Sequence, residues 1–301
     1  MVLTTRSVEP HYRNPTRQRE KQLVNDYLAA LIIGVVEGLT EFLPVSSTAH
    51  IRITQELLHL PLDDSYWKMF AIVIQLGAVL SVLVYFRSRI VGFLKSFPKG
   101  RDGRHTWWSH PLSLVMLSFV VTAIPCLLMD KFIGENLESL AVIGWALVMG
   151  GVVMWVVDKR FSDRATTERM ETMTLRQAVV IGFTQIFAAA FPGVSRSMAT
   201  IAGGQIMGLS RPAALEFSFF LSIPVMFAAT GYKLLQFVLK SDTAVSAEQW
   251  QVLAVGFVVS FFVAWAVIAW FMAWVNKHGF APFAIYRIIA GAAVLAWVYN
   301  R

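Results

Sequence analysis

The apolar positions of the chain gather into runs near residues 27–43, 47–60, 67–86, 112–129, 139–157, 177–191, 197–209, 213–239, 250–275 and 283–299. Most of the longer runs are continuous over the roughly 20 residues that a helix needs to cross a bilayer. A backbone in lipid must satisfy its own hydrogen bonds, and these runs do not alternate, so the pattern predicts helices and excludes a β-barrel. Four runs, 27–43 with 47–60 and 177–191 with 197–209, are shorter and broken by Pro, Gly and Ser. Such segments predict hairpins that dip into the membrane and return. The expected fold is an all-α integral membrane protein: six transmembrane helices plus two re-entrant helix–loop–helix hairpins. It forms a single polytopic domain over 23–301, behind a disordered basic tail over 1–22.

The two broken segments resemble each other. GVVEGLTEFLPVSSTAH starts at Gly34 and GFTQIFAAAFPGVSRSM at Gly182. Aligned from these starts, Gly34 meets Gly182, Pro44 meets Pro192, Ser47 meets Ser195, and Glu37 falls on Gln185. Interrupted hairpins at corresponding places in two halves predict an inverted-topology repeat, about 27–130 and 177–275, with a site where the halves meet.

Charge sets the orientation. The loop 87–110 carries six Lys/Arg and the loop 159–176 carries five. By the positive-inside rule both face the cytoplasm, and the two spans between them agree with that. The first hairpin then enters from outside and the second from inside. The tail, with Arg6, Arg13, Arg17, Arg19 and Lys21, falls outside against the rule.

Composition supports a membrane protein, with 56% hydrophobic and only 15% charged residues, against about a quarter charged in soluble domains. The net charge of +7 is spread over the loops, so it predicts no nucleic-acid partner. The one cysteine, Cys126, excludes an internal disulfide and a cysteine-based metal site. The tryptophans mostly fall near span ends, as an interfacial belt requires.

Against this background Glu37, Glu41 and His50 stand out. Glu37 and Glu41 are one helical turn apart and share a face. Two carboxylates in an apolar setting repel, and a shared proton, a divalent cation or a nearby Arg relieves the cost. Ser46, Ser47 and Thr48 open the next helix, whose N–H groups suit an anion. Any one of them is an ordinary cap; three followed by His50 exceed what capping needs. In PGVSRSMATI, Arg196 lies between Ser195 and Ser197 where another helix starts, and Thr200 follows one turn on. A guanidinium among hydroxyls at a helix start is a phosphate-binding arrangement. Glu216 either lines the site or caps a helix. Gln75 is read as an amide bonding a neighbouring helix, and Asp130 and Asp158, at span ends, are expected in solvent.

EGLTEFLPVSSTAH together with PGVSRSMATI, and IVIQLGA, EFSFFLSIPV and YRIIAG besides, resembles the undecaprenyl-diphosphate phosphatase family of the bacitracin-resistance type, from about residue 27 to 299. The resemblance implies removal of one phosphate from undecaprenyl diphosphate in the bacterial inner membrane, recycling the carrier for envelope polymers, with a divalent cation, Mg²⁺ or Ca²⁺. It implies Glu37 and Glu41 as the acidic, metal-holding pair. Ser46, Ser47 and His50 belong to its first hairpin, and Ser195, Arg196, Ser197 and Thr200 form its phosphate-binding motif. Ala49 and Met198 depart from the family, which commonly has Gly at both places. Ser47, His50 and water remain open as the nucleophile. A homodimer is left open as a partner state, and the phosphate is expected to leave on the periplasmic side. The rival reading is a transporter or flippase of an anionic lipid phosphate built on the same repeat.

Overall fold

The computed structural model describes residues 15–61, 64–100, 103, 105–129, 139–240 and 245–300. They form α1 (Pro15–Thr40), α2 (Ser47–Leu57), α3 (Ser65–Tyr85), α4 (Arg87–Ser96), α5 (Pro111–Met129), α6 (Leu140–Phe161), α7 (Leu175–Ala190), α8 (Arg196–Ile206), α9 (Arg211–Lys240), α10 (Ala247–His278) and α11 (Ala281–Tyr299). No strand occurs among the described residues.

Among the described residues, six helices are long and apolar enough to span a bilayer: Ser65–Tyr85, Pro111–Met129, Leu140–Arg164, Arg211–Phe237, Ala247–Val275 and Ala281–Tyr299. These coincide with the six continuous apolar runs. Their outer faces carry exposed apolar side chains, such as Leu128, Met149, Phe262 and Ile289, as lipid contact requires. Polar caps set the starts. Asp64 accepts from Trp67 N at 3.0 Å at the head of α3. Thr174 with Gln177, and Ser246 with Gln249, form reciprocal capping boxes for α7 and α10.

The tail expected over 1–22 divides. Residues 1–14 lie outside the described residues, whereas α1 already begins at Pro15. Proline suits a first helical turn, and the Gln, Arg, Glu and Lys that follow are good helix formers, so the helix extends beyond its apolar part. Arg101, Arg104, Asp130 and the connection 131–138 also lie outside the described residues.

Helices distant in the chain pack together. α1 lies against α10, α7 against α5, and α3 against α9, while α6 and α11 pair with each other. Two glycines permit the first two contacts. A Cβ at Gly34 would come within 2.7 Å of Gly256 O on α10, and one at Gly182 within 2.5 Å of Ser118 O on α5. Hydroxyls then bond the neighbouring backbone: Ser118 Oγ donates to Ala178 O at 2.6 Å and Thr122 Oγ1 to Gly182 O at 2.7 Å. Ser260 Oγ donates to Ile74 O at 2.9 Å between α10 and α3. Small and hydroxyl residues are what hold helices together where lipid gives no hydrophobic drive.

The two basic connections lie on one face. Arg89 of α4 pairs with Glu171, between α6 and α7, at 3.0 Å, and also with Glu216 of α9. Glu216 therefore neither caps a helix nor lines the site. Asp158, expected in solvent, is buried. It accepts from Arg211 Nε at 2.7 Å, Gln205 Nε2 at 3.0 Å and Phe280 N at 3.0 Å, tying the end of α6 to α8, α9 and α11. These three donors remove the desolvation cost that placed it outside.

Candidate active site

Two helices break off and restart at matching places. α1 stops at Thr40 and α2 starts at Ser47; α7 stops at Ala190 and α8 at Arg196 begins anew. The residue before each restart is a serine with positive φ, Ser46 at 75° and Ser195 at 73°. A non-glycine residue there is uncommon and strained, and such strain gathers at functional sites. Both serines cap their helices, Ser46 Oγ accepting from Ala49 N at 3.4 Å and Ser195 Oγ from Met198 N at 3.3 Å. Ser46 and Ser195 are thus structural equivalents, which shifts the sequence alignment by one residue at the turns. One turn is a residue shorter than the other, and apolar matching alone does not register that. Ala49 and Met198, the departures from the family's glycines, are buried side chains at ordinary helical positions, and neither lines the cavity described next.

The turns face each other across a cavity of about 100 Å³, lined by Glu41, Ser46, Ser47 and Thr48 on one side and Pro192, Gly193, Ser195 and Arg196 on the other. Gln75, Ala188 and Met226 complete the wall, from α3, α7 and α9. Ser47 Oγ donates to Glu41 Oε2 at 2.5 Å. Arg196 Nη2 donates to Glu41 Oε1 at 3.0 Å, so the carboxylate joins a hydroxyl at the start of α2 to a guanidinium at the start of α8. Ser197 Oγ donates to Leu43 O at 3.0 Å and holds the first turn from the other side. Thr200 Oγ1 lies 2.7 Å from Ser218 Oγ, and Arg196 Nη1 reaches Ser218 O at 3.4 Å. Ser197 and Thr200 therefore brace the site from behind and do not line it.

Glu37 sits one turn behind Glu41, fully buried. Neither of its carboxylate oxygens meets a hydrogen-bond donor, and its charged neighbours are Glu41 and Arg196. Glu37 and Glu41 thus place two carboxyl groups side by side in a buried setting, with the Arg196 guanidinium bonded to Glu41. Unbonded buried oxygens beside a second carboxylate fit an oxygen-seeking divalent cation such as Mg²⁺ or Ca²⁺. Among the described residues no three or more His, Cys, Asp or Glu are grouped so as to hold a metal ion by themselves, so a cation there would need oxygens from its substrate as well.

His50 is placed differently. Its Nδ1 lies 2.7 Å from Ser46 O and its Nε2 lies 2.7 Å from the Tyr286 hydroxyl. Both ring nitrogens are engaged, and the ring is outside the cavity wall. Sequence reading also passed over Arg287. This residue is fully buried and donates to Pro44 O, Gly193 O and Ala146 O at 3.1, 2.9 and 3.1 Å. The available signal was an arginine in the middle of an apolar span, which is a mark of function.

A larger cleft of about 450 Å³ adjoins the cavity through Thr48 and Gln75. Its walls mix apolar Ile51, Met69, Ile72 and Phe237 with basic Arg52, Lys68 and Lys233. It runs between α2, the start of α3 and the end of α9, on the face opposite the two basic connections.

The fold and site define a class: an all-helical, multi-pass membrane protein in which acidic, hydroxyl and guanidinium groups meet at two helix starts inside the apolar layer. The sequence profile of the bacitracin resistance protein BacA family matches residues 30–293. Curated relatives carry the name undecaprenyl-diphosphatase. That of Koribacter versatilis is 55% identical over 286 residues, covering 92% of this chain and 100% of its own. That of Thermoanaerobacter sp. is 41% identical over 274 residues, covering 91% and 97%, and that of Deinococcus radiodurans 38% over 278 residues, covering 91% and 96%. The chain belongs to the BacA family.

Proposed function

We propose that this protein is an undecaprenyl-diphosphate phosphatase of the bacterial inner membrane. It hydrolyses the terminal phosphoanhydride of undecaprenyl diphosphate, gives undecaprenyl phosphate and inorganic phosphate, and so recycles the lipid carrier for cell-wall synthesis and confers bacitracin resistance. The observation that carries this reading is the chain Arg196–Glu41–Ser47, which sets a hydroxyl on a carboxylate beside a guanidinium.

The chemistry follows from that chain. Arg196 and the N–H groups at the starts of α2 and α8 bind the diphosphate oxygens. Ser47 Oγ attacks the terminal phosphorus and passes its proton to Glu41. The bond from phosphorus to the bridging oxygen breaks, and its electron pair leaves with undecaprenyl phosphate. Water then attacks the phosphorus of the phosphoserine, the bond from phosphorus to Ser47 Oγ breaks, Glu41 returns the proton to Oγ, and the water's oxygen leaves with its two protons in inorganic phosphate. This assignment prefers Ser47 over His50, whose ring nitrogens are engaged with Ser46 and Tyr286. Glu37 and Glu41 would hold the divalent cation, which when bound neutralises charge on the phosphoryl oxygens.

The two broken hairpins are read as re-entrant halves of an inverted repeat. The exchanged pairings α1 with α10 and α7 with α5 support it. So do the three spans α3, α5 and α6 between the hairpins, an odd number, which makes the second hairpin enter from the opposite face. With the basic connections cytoplasmic, the larger cleft opens to the periplasm. The lipid enters there, its diphosphate drawn by the basic residues and its tail lying along the apolar wall.

Phosphate release from undecaprenyl diphosphate by the purified protein, with and without EDTA, tests the reading. Metal-dependent release supports it. Binding without release under any cation would replace it with a carrier of anionic lipid phosphates, for which the Ser47–Glu41 pair has no evident use.

A further inference from the structure

α11 carries one charged side chain that the reaction above does not use. Arg287 is wholly buried, and among the described residues no carboxylate pairs with it. Its Nε meets no acceptor. An arginine inside an apolar span without a counter-ion is costly, and holding carbonyls alone could be done by neutral donors. The carbonyls it does hold are informative. Pro44 lies two residues before Ser46 in the first turn, and Gly193 lies two before Ser195 in the second. One guanidinium therefore clasps both turns from below, and Gly193 is itself part of the cavity wall. Gly150 of α6 makes the room, since a Cβ there would stand 2.2 Å from Arg287 Nη2.

We propose that Arg287 is a positioning residue for the diphosphatase reaction. It fixes the turns 41–46 and 191–195 against each other so that Ser47 and Arg196 address the same phosphoryl group. Its unpaired charge is balanced when the diphosphate binds. The proposal rests on the diphosphatase reading.

The test compares wild type with Arg287→Lys, Arg287→Gln and Gly150→Ala, each purified in detergent. The readouts are kcat and KM per folded molecule with undecaprenyl diphosphate, and the rise in melting temperature caused by inorganic pyrophosphate. Loss of the clasp should lower kcat about 100-fold, the effect of a misplacement of about 1 Å. The pyrophosphate shift should shrink in all three variants, and most in Arg287→Gln. Lysine keeps the charge but not the fork that spans two carbonyls, so it should recover the shift better than it recovers kcat. Gly150→Ala keeps the arginine and only displaces it, so it decides the matter if the Arg287 variants do not fold. Variants that melt earlier yet keep wild-type kcat and the wild-type pyrophosphate shift would show a merely structural arginine and overturn the proposal. A wild type that neither releases phosphate nor responds to pyrophosphate would instead overturn the diphosphatase reading, and this proposal with it.

Discussion

Ser47 Oγ lies 2.5 Å from Glu41 Oε2, six residues earlier in the chain and on the far side of a helix break. The break makes the contact. In an unbroken helix residues six apart point to different faces; the turn at 41–46 brings the hydroxyl back over the carboxylate. Ser47→Ala should lower phosphate release by about 10³-fold or more, the scale seen when a nucleophile is removed. Binding of the lipid should survive, because the Arg196 clamp is untouched. Radiolabelled substrate would report both quantities; turnover within tenfold of wild type would remove Ser47 as nucleophile.

Arg196 donates from one nitrogen to Glu41 and from another toward Ser218 O. Arg196→Lys keeps the positive charge and loses the planar fork. It should cut kcat/KM by about 10- to 100-fold, measured from initial rates at low substrate. An unchanged rate would place the diphosphate clamp elsewhere.

Glu37 is buried with both oxygens unbonded. Glu37→Gln replaces a buried carboxyl that lies beside Glu41 and Arg196. In metal-free detergent the variant should melt no lower than wild type. It should lose most turnover, and it should lose the thermal protection that added Mg²⁺ or Ca²⁺ gives the wild-type chain. Equal cation protection in both proteins would separate Glu37 from metal binding.

Gly193 holds φ at +99°, and a Cβ there would stand 2.9 Å from both Ile143 O and Ala146 Cβ. Gly193→Ala should cost about 1–3 kcal/mol from the backbone alone, and more from the contact with α6. Because Gly193 O is an acceptor for Arg287, activity should fall further than stability does. Thermal melts beside turnover assays would separate the two effects; a variant as stable and as active as wild type would show that the turn relaxes freely.

Much of the site was legible because the membrane makes polar residues conspicuous. Glu37, Glu41, Ser47 and Arg196 stood out as costly groups in apolar runs, and the structure gathers them. Asp158 and His50 show the limit. Nothing in the sequence near Asp158 reveals that Gln205, Arg211 and Phe280 N will converge on it. Nothing near His50 reveals Tyr286, 236 residues away. These partners come from other helices, so local pattern carries no trace of them.

The sequence by itself determined the helical class, the six long apolar helices and the places where two further helices break. It could do so because apolar run length and the cost of charge in lipid are local quantities. Only the tertiary structure decided how Ser46 matches Ser195, which hydroxyl meets Glu41, which side chains line the cavity and which brace it, and that Arg287 joins the two turns. Those outcomes depend on one-residue differences in turn length and on close approach between helices distant in the chain, where a Cβ displaced by an ångström changes the partner.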